Sequence, residues 1–562
     1  MLLNFEFEIL YFGMKISSAV LLTIVLLAGP LLSSPESEVQ AFLANPVRHV
    51  CQHDKIAKGK EILTDPPYKP DPAHFSASHL SAEAKPYESP DFVTEGWHPI
   101  RIGLEWSIAE KFIQSESSAT IQARYQLSAK LIQSVRIYFQ AVLQVNSYPV
   151  YVFKGGLCGE LSVPAFTKYV DLTIVVNPEN KPTAPYFAAA YSCRRSAMDL
   201  RTTMGAYILN LAPMSDQVIH SYLYFSTFAH EFTHILGFSS NLFPLFRNPQ
   251  TGSFYESPQV KTATIGGKKD INFQMLILPE VVNYARKYFG CPTIEGIPLE
   301  DDGGDGSAGS HWEKTFLPHE YMNPSVENPG VISEFTFALL RGTGWYKTLP
   351  GGAQRFDWGK GSGCGYFHIC PPAHQGTCPE GSLQSIVCSA DYDARAICYN
   401  GLQFETGCPR KHSLEHSCLL EPGKDEKLLP NEQYGAYSRC FVWQAKAEPH
   451  ESKPRCHKTI CKTTTSKSST GEDITVPVIQ LQLGSKIVEC TTSGQEITDL
   501  ETDFKLVCPD LKDFCEEILA RCPEDCNGRG MCTESRMCIC NFGFTGPSCA
   551  SADPKGTQPF AS

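Results

Sequence analysis

The 23 cysteines of this 562-residue chain are spread so unevenly that they divide it in two. Nineteen lie from Cys364 onward, and only Cys51, Cys158, Cys193 and Cys291 precede them. So dense a C-terminal set is typical of disulfide-stapled extracellular modules rather than of reduced cytosolic proteins. At this length several domains are expected. An apolar share of 42% with 19% charged residues belongs to a globular chain, not a disordered one. The formal net charge of -12 carries no basic bias, so nucleic acid is not an expected partner.

The chemistry concentrates at His230-Glu231-Phe232-Thr233-His234. Two histidines four apart on a helix project from one face and can bind one metal. Glu231 between them is placed to hold a water against that metal, accept its proton and return it to a leaving amine. Gly237 follows His234 by three, as in the pattern H-E-x-x-H-x-x-G-x-x-H, where glycine lets the chain turn out of the helix. The usual third histidine position is Ser240, so the contiguous motif is broken and a downstream residue is needed.

Further along stand Gly309-Ser310-His311-Trp312-Glu313 and Glu320-Tyr321-Met322-Asn323-Pro324. With these elements the chain resembles the leishmanolysin-like (invadolysin-like) zinc peptidases of the metzincin clan. In that family a long insertion separates the glycine from the third histidine. The resemblance implies an α+β metzincin-type catalytic domain split by that insertion, then a disulfide-rich domain and an EGF-like module. It implies one Zn2+ per chain held by His230, His234 and His311, Glu231 as general base, and Met322 in a Met-turn beneath the metal. His319 is the rival for the third ligand, without a matching motif role. Tyr321 reads as structural, and His220 as a packing or surface residue. The segment Val47–Asp54 resembles the family's propeptide motif, so Cys51 is expected to cap the zinc as a cysteine switch; a disulfide or incidental free thiol is the alternative. Substrate would bind extended along an edge strand, for which Gly205–Leu211 is the candidate.

Cys522, Cys526, Cys532, Cys538, Cys540 and Cys549 have the spacing of an EGF-like domain, with turns at Asn527–Gly530 and Gly543–Gly546. That resemblance implies pairing 522–532, 526–538 and 540–549, in a module that is more often a structural or adhesive spacer than a catalytic part. It offers a surface for cell-surface or matrix contact. Removing those six and Cys51 leaves sixteen cysteines, enough for eight further bridges.

The expected organisation follows. Residues 1–33 read as a signal peptide: Ile16–Leu32 is largely apolar and small residues follow it. Glu6 and Glu8 suit such a leader poorly, so Met14 is an alternative start. A membrane anchor is the competing reading, although the run is shorter than a usual span. Residues 34–90 are a pro-segment carrying the cysteine switch. Residues 91–240 form the N-terminal catalytic subdomain, with strands near Ile100–Leu104, Tyr169–Val176 and Gly205–Leu211. A helix spans Ala119–Val145, and the motif helix is capped by Ser215-Asp216 and runs to Leu236. Residues 241–363, with a helix at Ser333–Arg341, supply the third ligand and Met-turn. Residues 364–516 are cysteine-rich without clear periodicity, and Lys458–Ser469 within them reads as a solvated loop. Residues 517–551 are EGF-like, and 552–562 are a polar tail with no hydrophobic anchor signal.

The expected product is a latent, secreted zinc endopeptidase acting on proteins or peptides, of unknown oligomeric state. A catalytically silent adhesion protein is the alternative, disfavoured by the intact Glu231. A structural zinc site is weaker, since such sites are usually closed by four protein ligands, often cysteine.

Overall fold

The computed structural model describes residues 49–65 and 96–553, apart from short stretches at 147–150, 169, 216–220, 266–270, 327–329, 368–376, 379–381, 401–408, 420–430, 436, 446–452, 468–472, 499–503 and 520. The signal-peptide region, much of the pro-segment, Asp216, His220, Cys370, Cys408 and most of the polar tail lie outside the described residues.

A five-stranded sheet organises the N-terminal half. Its strands are β1 Leu63–Asp65, β2 Ile102–Glu105, β3 Leu172–Glu179, β4 Ala188–Ser196 and β5 Thr202–Asn210, in the spatial order β1-β4-β5-β3-β2. Only β4 runs antiparallel to its long neighbour; β3 pairs parallel with both β5 and β2. Alternation along β3 sends Ile174 and Val176 into the main core, while Val175 packs on the opposite face with Met204 and Ala206. The strand expected at the sheet's edge, Gly205–Leu211, is instead central, because β5 is flanked by β4 and β3. The margin without a full strand partner belongs to β4, which pairs with β1 only at Arg194–Ser196.

Two helices cover the main-core face. Helix α1, Ala119–Val142, starts at Ser118, whose hydroxyl accepts the Ile121 N–H at 3.4 Å. It yields to a short strand at Leu143–Val145, three residues earlier than the apolar spacing suggests. Helix α2, Ser221–Leu236, carries the histidine motif. Phe232 stacks on Phe139 of α1 (6.2 Å) and packs edge-on against Tyr207 of β5 (5.4 Å), so one aromatic layer fixes the helix between neighbour and sheet. Where α2 crosses β5, a Cβ on Gly205 would lie 2.6 Å from Ile235; only glycine allows this approach.

The segment between Gly237 and His311 folds as an ordered insertion. It contains a hairpin, Val260–Ile265 with Ile271–Leu276, joined by Ile297–Pro298, and helix α3, Pro279–Phe289. Cys291 bonds Cys364 at its end. Helix α4, Glu334–Gly342, is capped by Ser333 and packs against α3.

The cysteine-rich region is built on a six-stranded antiparallel sheet over a core that includes Phe441, Trp443, Ile479, Leu481 and Phe514. Of Lys458–Ser469, read from sequence as a solvated loop, the part to Lys467 lies within its strand Arg455–Lys467: Lys458 pairs with Ser438, and Thr459–Lys467 pairs residue by residue with Asp473–Leu481. Threonines favour this extended edge-on packing, and Thr459 is buried while Lys458 faces solvent. Ten disulfides occur among the described residues. The C-terminal module pairs Cys522–Cys532, Cys526–Cys538 and Cys540–Cys549. It is not a free arm: Met531 and Ile539 are buried in the main core, and the Phe542 N–H donates to Ser134 of α1 at 2.9 Å. Among the described residues no helix is long and apolar enough to cross a membrane.

Candidate metal centre

Helix α2 places His230 and His234 one turn apart, facing the sheet's open margin, and both are fully buried. The helix ends as the Gly237 and Phe238 N–H groups both donate to the Thr233 carbonyl. The turn brings the Phe238 carbonyl back to His234, whose Nδ1 donates to it at 2.7 Å. His230 Nδ1 likewise donates to the Tyr321 carbonyl (2.6 Å), and His311 Nδ1 to the Ser307 carbonyl (2.7 Å). The Glu300 N–H donates to the His311 carbonyl at 3.0 Å, and the Glu300 carbonyl accepts the Gly309 N–H at 2.9 Å, which holds His311 in place.

These three bonds decide the tautomers. With each Nδ1 bearing the proton, each Nε2 presents a lone pair. Those atoms converge: Nε2 of His230 lies 2.9 Å from that of His234 and 3.2 Å from that of His311. Cys51 Sγ stands 3.4 Å from His234 Nε2, and the four donors lie within 4.8 Å of one another. Burial lowers all three imidazoles, His230 to about 4, which holds them in the neutral form that metals bind. Burial and then Glu231 push the Cys51 thiol up, so a cation amid the donors is what would stabilise its thiolate. Lone pairs aimed at one point, backed by carbonyls on the far side of each ring, fit a single metal ion.

Glu231 is buried beside this cluster. Its Oε1 is 3.6 Å from Cys51 Sγ and 3.5 Å from His49 Nε2. Burial pushes this carboxyl well above the usual range. Met322 is fully buried, and its carbonyl accepts the Trp312 N–H at 3.1 Å, tying this turn to the residue after His311. His319 takes another place: it has a left-handed backbone (φ 62), lies against Trp358, and is not among the clustered donors.

Residues 114–372 match the profile of the family described as leishmanolysin, and residues 522–552 match the teneurin-like EGF domain. This part of the chain is a leishmanolysin-like domain. The C-terminal module is EGF-like. A "Leishmanolysin-like peptidase" of Drosophila pseudoobscura pseudoobscura is 34% identical over 167 residues, 25% of this chain and 24% of the relative. Its Caenorhabditis elegans counterpart is 33% identical over 187 residues, 28% of each chain. The "Leishmanolysin" of Leishmania major is 24% identical over 368 residues, 58% of each. The chain thus spans about a quarter of the length of the first of these relatives.

Beyond the residues singled out by sequence, the leishmanolysin-type site depends on the carbonyls of Phe238, Ser307 and Tyr321, and on His49 and His53. Backbone acceptors leave no residue-type signal. The two histidines flank Cys51 in the propeptide-like motif, and that is their only trace in the sequence.

Proposed function

We propose that the chain is a secreted zinc endopeptidase made in a latent form, with zinc held by His230, His234 and His311, and Cys51 as the fourth ligand of the latent state. The observation that carries this reading is the convergence of three proton-free Nε2 atoms beside a buried glutamate. Bound zinc would acidify a water and polarise the scissile carbonyl. Glu231 takes the proton of the attacking water and returns it to the leaving amine as the C–N bond breaks. The unpaired margin of β4 offers its backbone to an extended protein or peptide substrate. Met322, in the buried turn joined to Trp312, would help to support bound zinc. The relatives' printed names are those of peptidases, which supports the reading. Ten described disulfides support folding in an oxidising compartment, hence secretion.

The test pairs metal content with peptide hydrolysis in processed protein. Glu231→Ala is expected to keep its zinc and lose activity by at least about 100-fold, the range of a removed general base. His311→Ala is expected to lose most of its zinc, and His319→Ala to keep it. A Glu231→Ala protein as active as wild type, or zinc loss in the His319 variant alone, refutes the assignment.

A further inference from the structure

The segment His49–Ala57 touches the site through far more than a thiol. The His49–Val50 strand pairs antiparallel with Ser325–Val326, the Val50 N–H donates to the Pro185 carbonyl, and the Cys51 N–H donates to Pro324 (2.9 Å each). The Phe187 N–H donates to His49 Nδ1 at 3.0 Å, which leaves the His49 proton on Nε2, facing Glu231. Two residues past the cysteine, His53 lies flat on the ring of His234, with centroids 3.9 Å apart and planes 6° from parallel. Its Nδ1 donates to the Ala190 carbonyl (2.7 Å), and its Nε2 accepts from the Ser239 hydroxyl (2.8 Å). Asp54 then receives the Ser310 hydroxyl at 2.5 Å and the Ser240 hydroxyl at 3.4 Å.

These partners lie on three separate parts of the cleft. Ala190 is on the open margin of β4, Ser239 and Ser240 follow the turn out of α2, and Ser310 adjoins His311. The side-chain contacts of His53 and Asp54 make no use of the Cys51 sulfur, which His53 meets through its backbone N–H at 3.4 Å. Both side chains are largely out of water: His53 is fully buried, and burial raises the Asp54 carboxyl. Hydrogen bonds to a buried carboxylate are stronger than average, so their loss is felt.

We propose that His53 and Asp54 form an anchor, independent of the cysteine, that clamps the pro-segment across the cleft, so that removing the thiol alone does not open the site. Cys51 takes the fourth ligand position, His49 covers Glu231, and the anchor keeps both seated. The inference rests on the peptidase reading for its activity readout, but not for its binding readout.

The experiment uses the full-length precursor and its counterpart cleaved within residues 66–95. Uncut Cys51→Ser protein is expected to stay below about one-tenth of processed wild-type activity, and adding Asp54→Ala to raise it at least about 10-fold, the worth of one charge-assisted hydrogen bond. Asp54→Asn, which keeps an acceptor, is expected to fall between. After cleavage, the wild-type and Cys51→Ser segments should co-elute with the body of the protein in gel filtration, whereas the Asp54→Ala segment should separate. Equal recovery of activity by all variants once the segment is gone shows that each has folded. The anchor is refuted if Cys51→Ser alone reaches processed activity, if Asp54→Ala changes neither activity nor retention, or if the Cys51→Ser segment is released on cleavage. Retention that depends on Asp54 in a processed protein without activity would overturn the peptidase reading and leave the anchor standing.

Discussion

Glu320 sits where the Met-turn meets helix α4, and it is almost wholly buried. Its Oε1 accepts the hydroxyls of Ser333 and Thr336 (2.7 Å each), and its Oε2 accepts the Met322 N–H at 2.5 Å. Three donors favour the carboxylate, yet burial outweighs them and moves the group from 4.5 up to about 7. The folded protein therefore keeps this proton across a range where the unfolded chain has lost it. The associated stability is complete below pH 4.5 and is lost as pH rises toward 7. Glu320→Gln cannot titrate, so its stability relative to wild type should improve over that window, by up to about 3 kcal/mol. Chemical denaturation of both proteins at pH 4.5, 5.5 and 7 measures this, and parallel pH slopes would refute it. Residue-scale chemistry was legible in the sequence where spacing alone dictates it, as for His230, Glu231 and His234 on one helix face. The pairing of His311 with them depends on an insertion that returns the chain to the site, so only the family resemblance pointed to it. The roles of His49 and His53 were not legible, because they arise from contacts over 130 residues away in the chain.

Helix α2 can reach the sheet only because Gly205 has no side chain, and this contact sets the height of the histidine motif above β5. A methyl there would meet Ile235 at 2.6 to 2.8 Å, one residue from His234. Gly205→Ala is expected to cost about 1–3 kcal/mol through overpacking, and Ile235→Ala in the same protein should recover part of that loss. A double-mutant cycle by thermal melting reads the coupling; additive losses would mean that the two do not touch. The elements themselves were uneven in how far they could be read. The helix read at Ser333–Arg341 corresponds to α4, and the structure adds that Ser333 is its cap. Helix α3 went unread although it carries both punctuation marks, Pro279 in its first turn and a left-handed Gly290 (φ 69) after its last. Its buried Val281, Val282, Ala285, Tyr288 and Phe289 repeat at helical spacing. For Lys458–Ser469 the composition was misleading: a polar Lys/Thr/Ser tract looks like a loop, but Lys458 pairs with Ser438 and Thr459–Lys467 with Asp473–Leu481. The position of β5 inside the sheet, rather than at its edge, follows from strand order, which no local pattern encodes.

Taken as one body, the chain closes on itself at the EGF-like module. The module's loop donates N–H groups from Glu534 to Ala353 (2.6 Å) and from Ser535 to Gly351 (3.2 Å), beside the Phe542 bond to α1. Gly351 has a left-handed backbone (φ 66), and a Cβ there would lie 3.0 Å from that of Ser535, so the approach is close as well as bonded. Arg439 pairs with Asp525 at 3.1 Å and Arg521 with Asp393 at 2.6 Å, which fastens the module to the cysteine-rich region too. Met531 and Ile539, each 1% exposed, complete the same core that holds Phe139 and Phe232 behind the metal centre. A spacer hinged on the end of the chain would have no reason to bury its apolar residues in another region's interior. Met531→Ala and Ile539→Ala should each destabilise by about 2–5 kcal/mol, the cost of emptying a packed site. Because the cavity opens in the shared core, the loss should appear in the unfolding of the region around the metal-ligand cluster, seen in zinc-loaded protein as earlier release of zinc during heating. Calorimetry with a zinc-sensitive dye separates the possibilities. A single transition that moves down with zinc release makes the module part of the catalytic body, whereas a small early transition with unchanged zinc release would make it an independent domain.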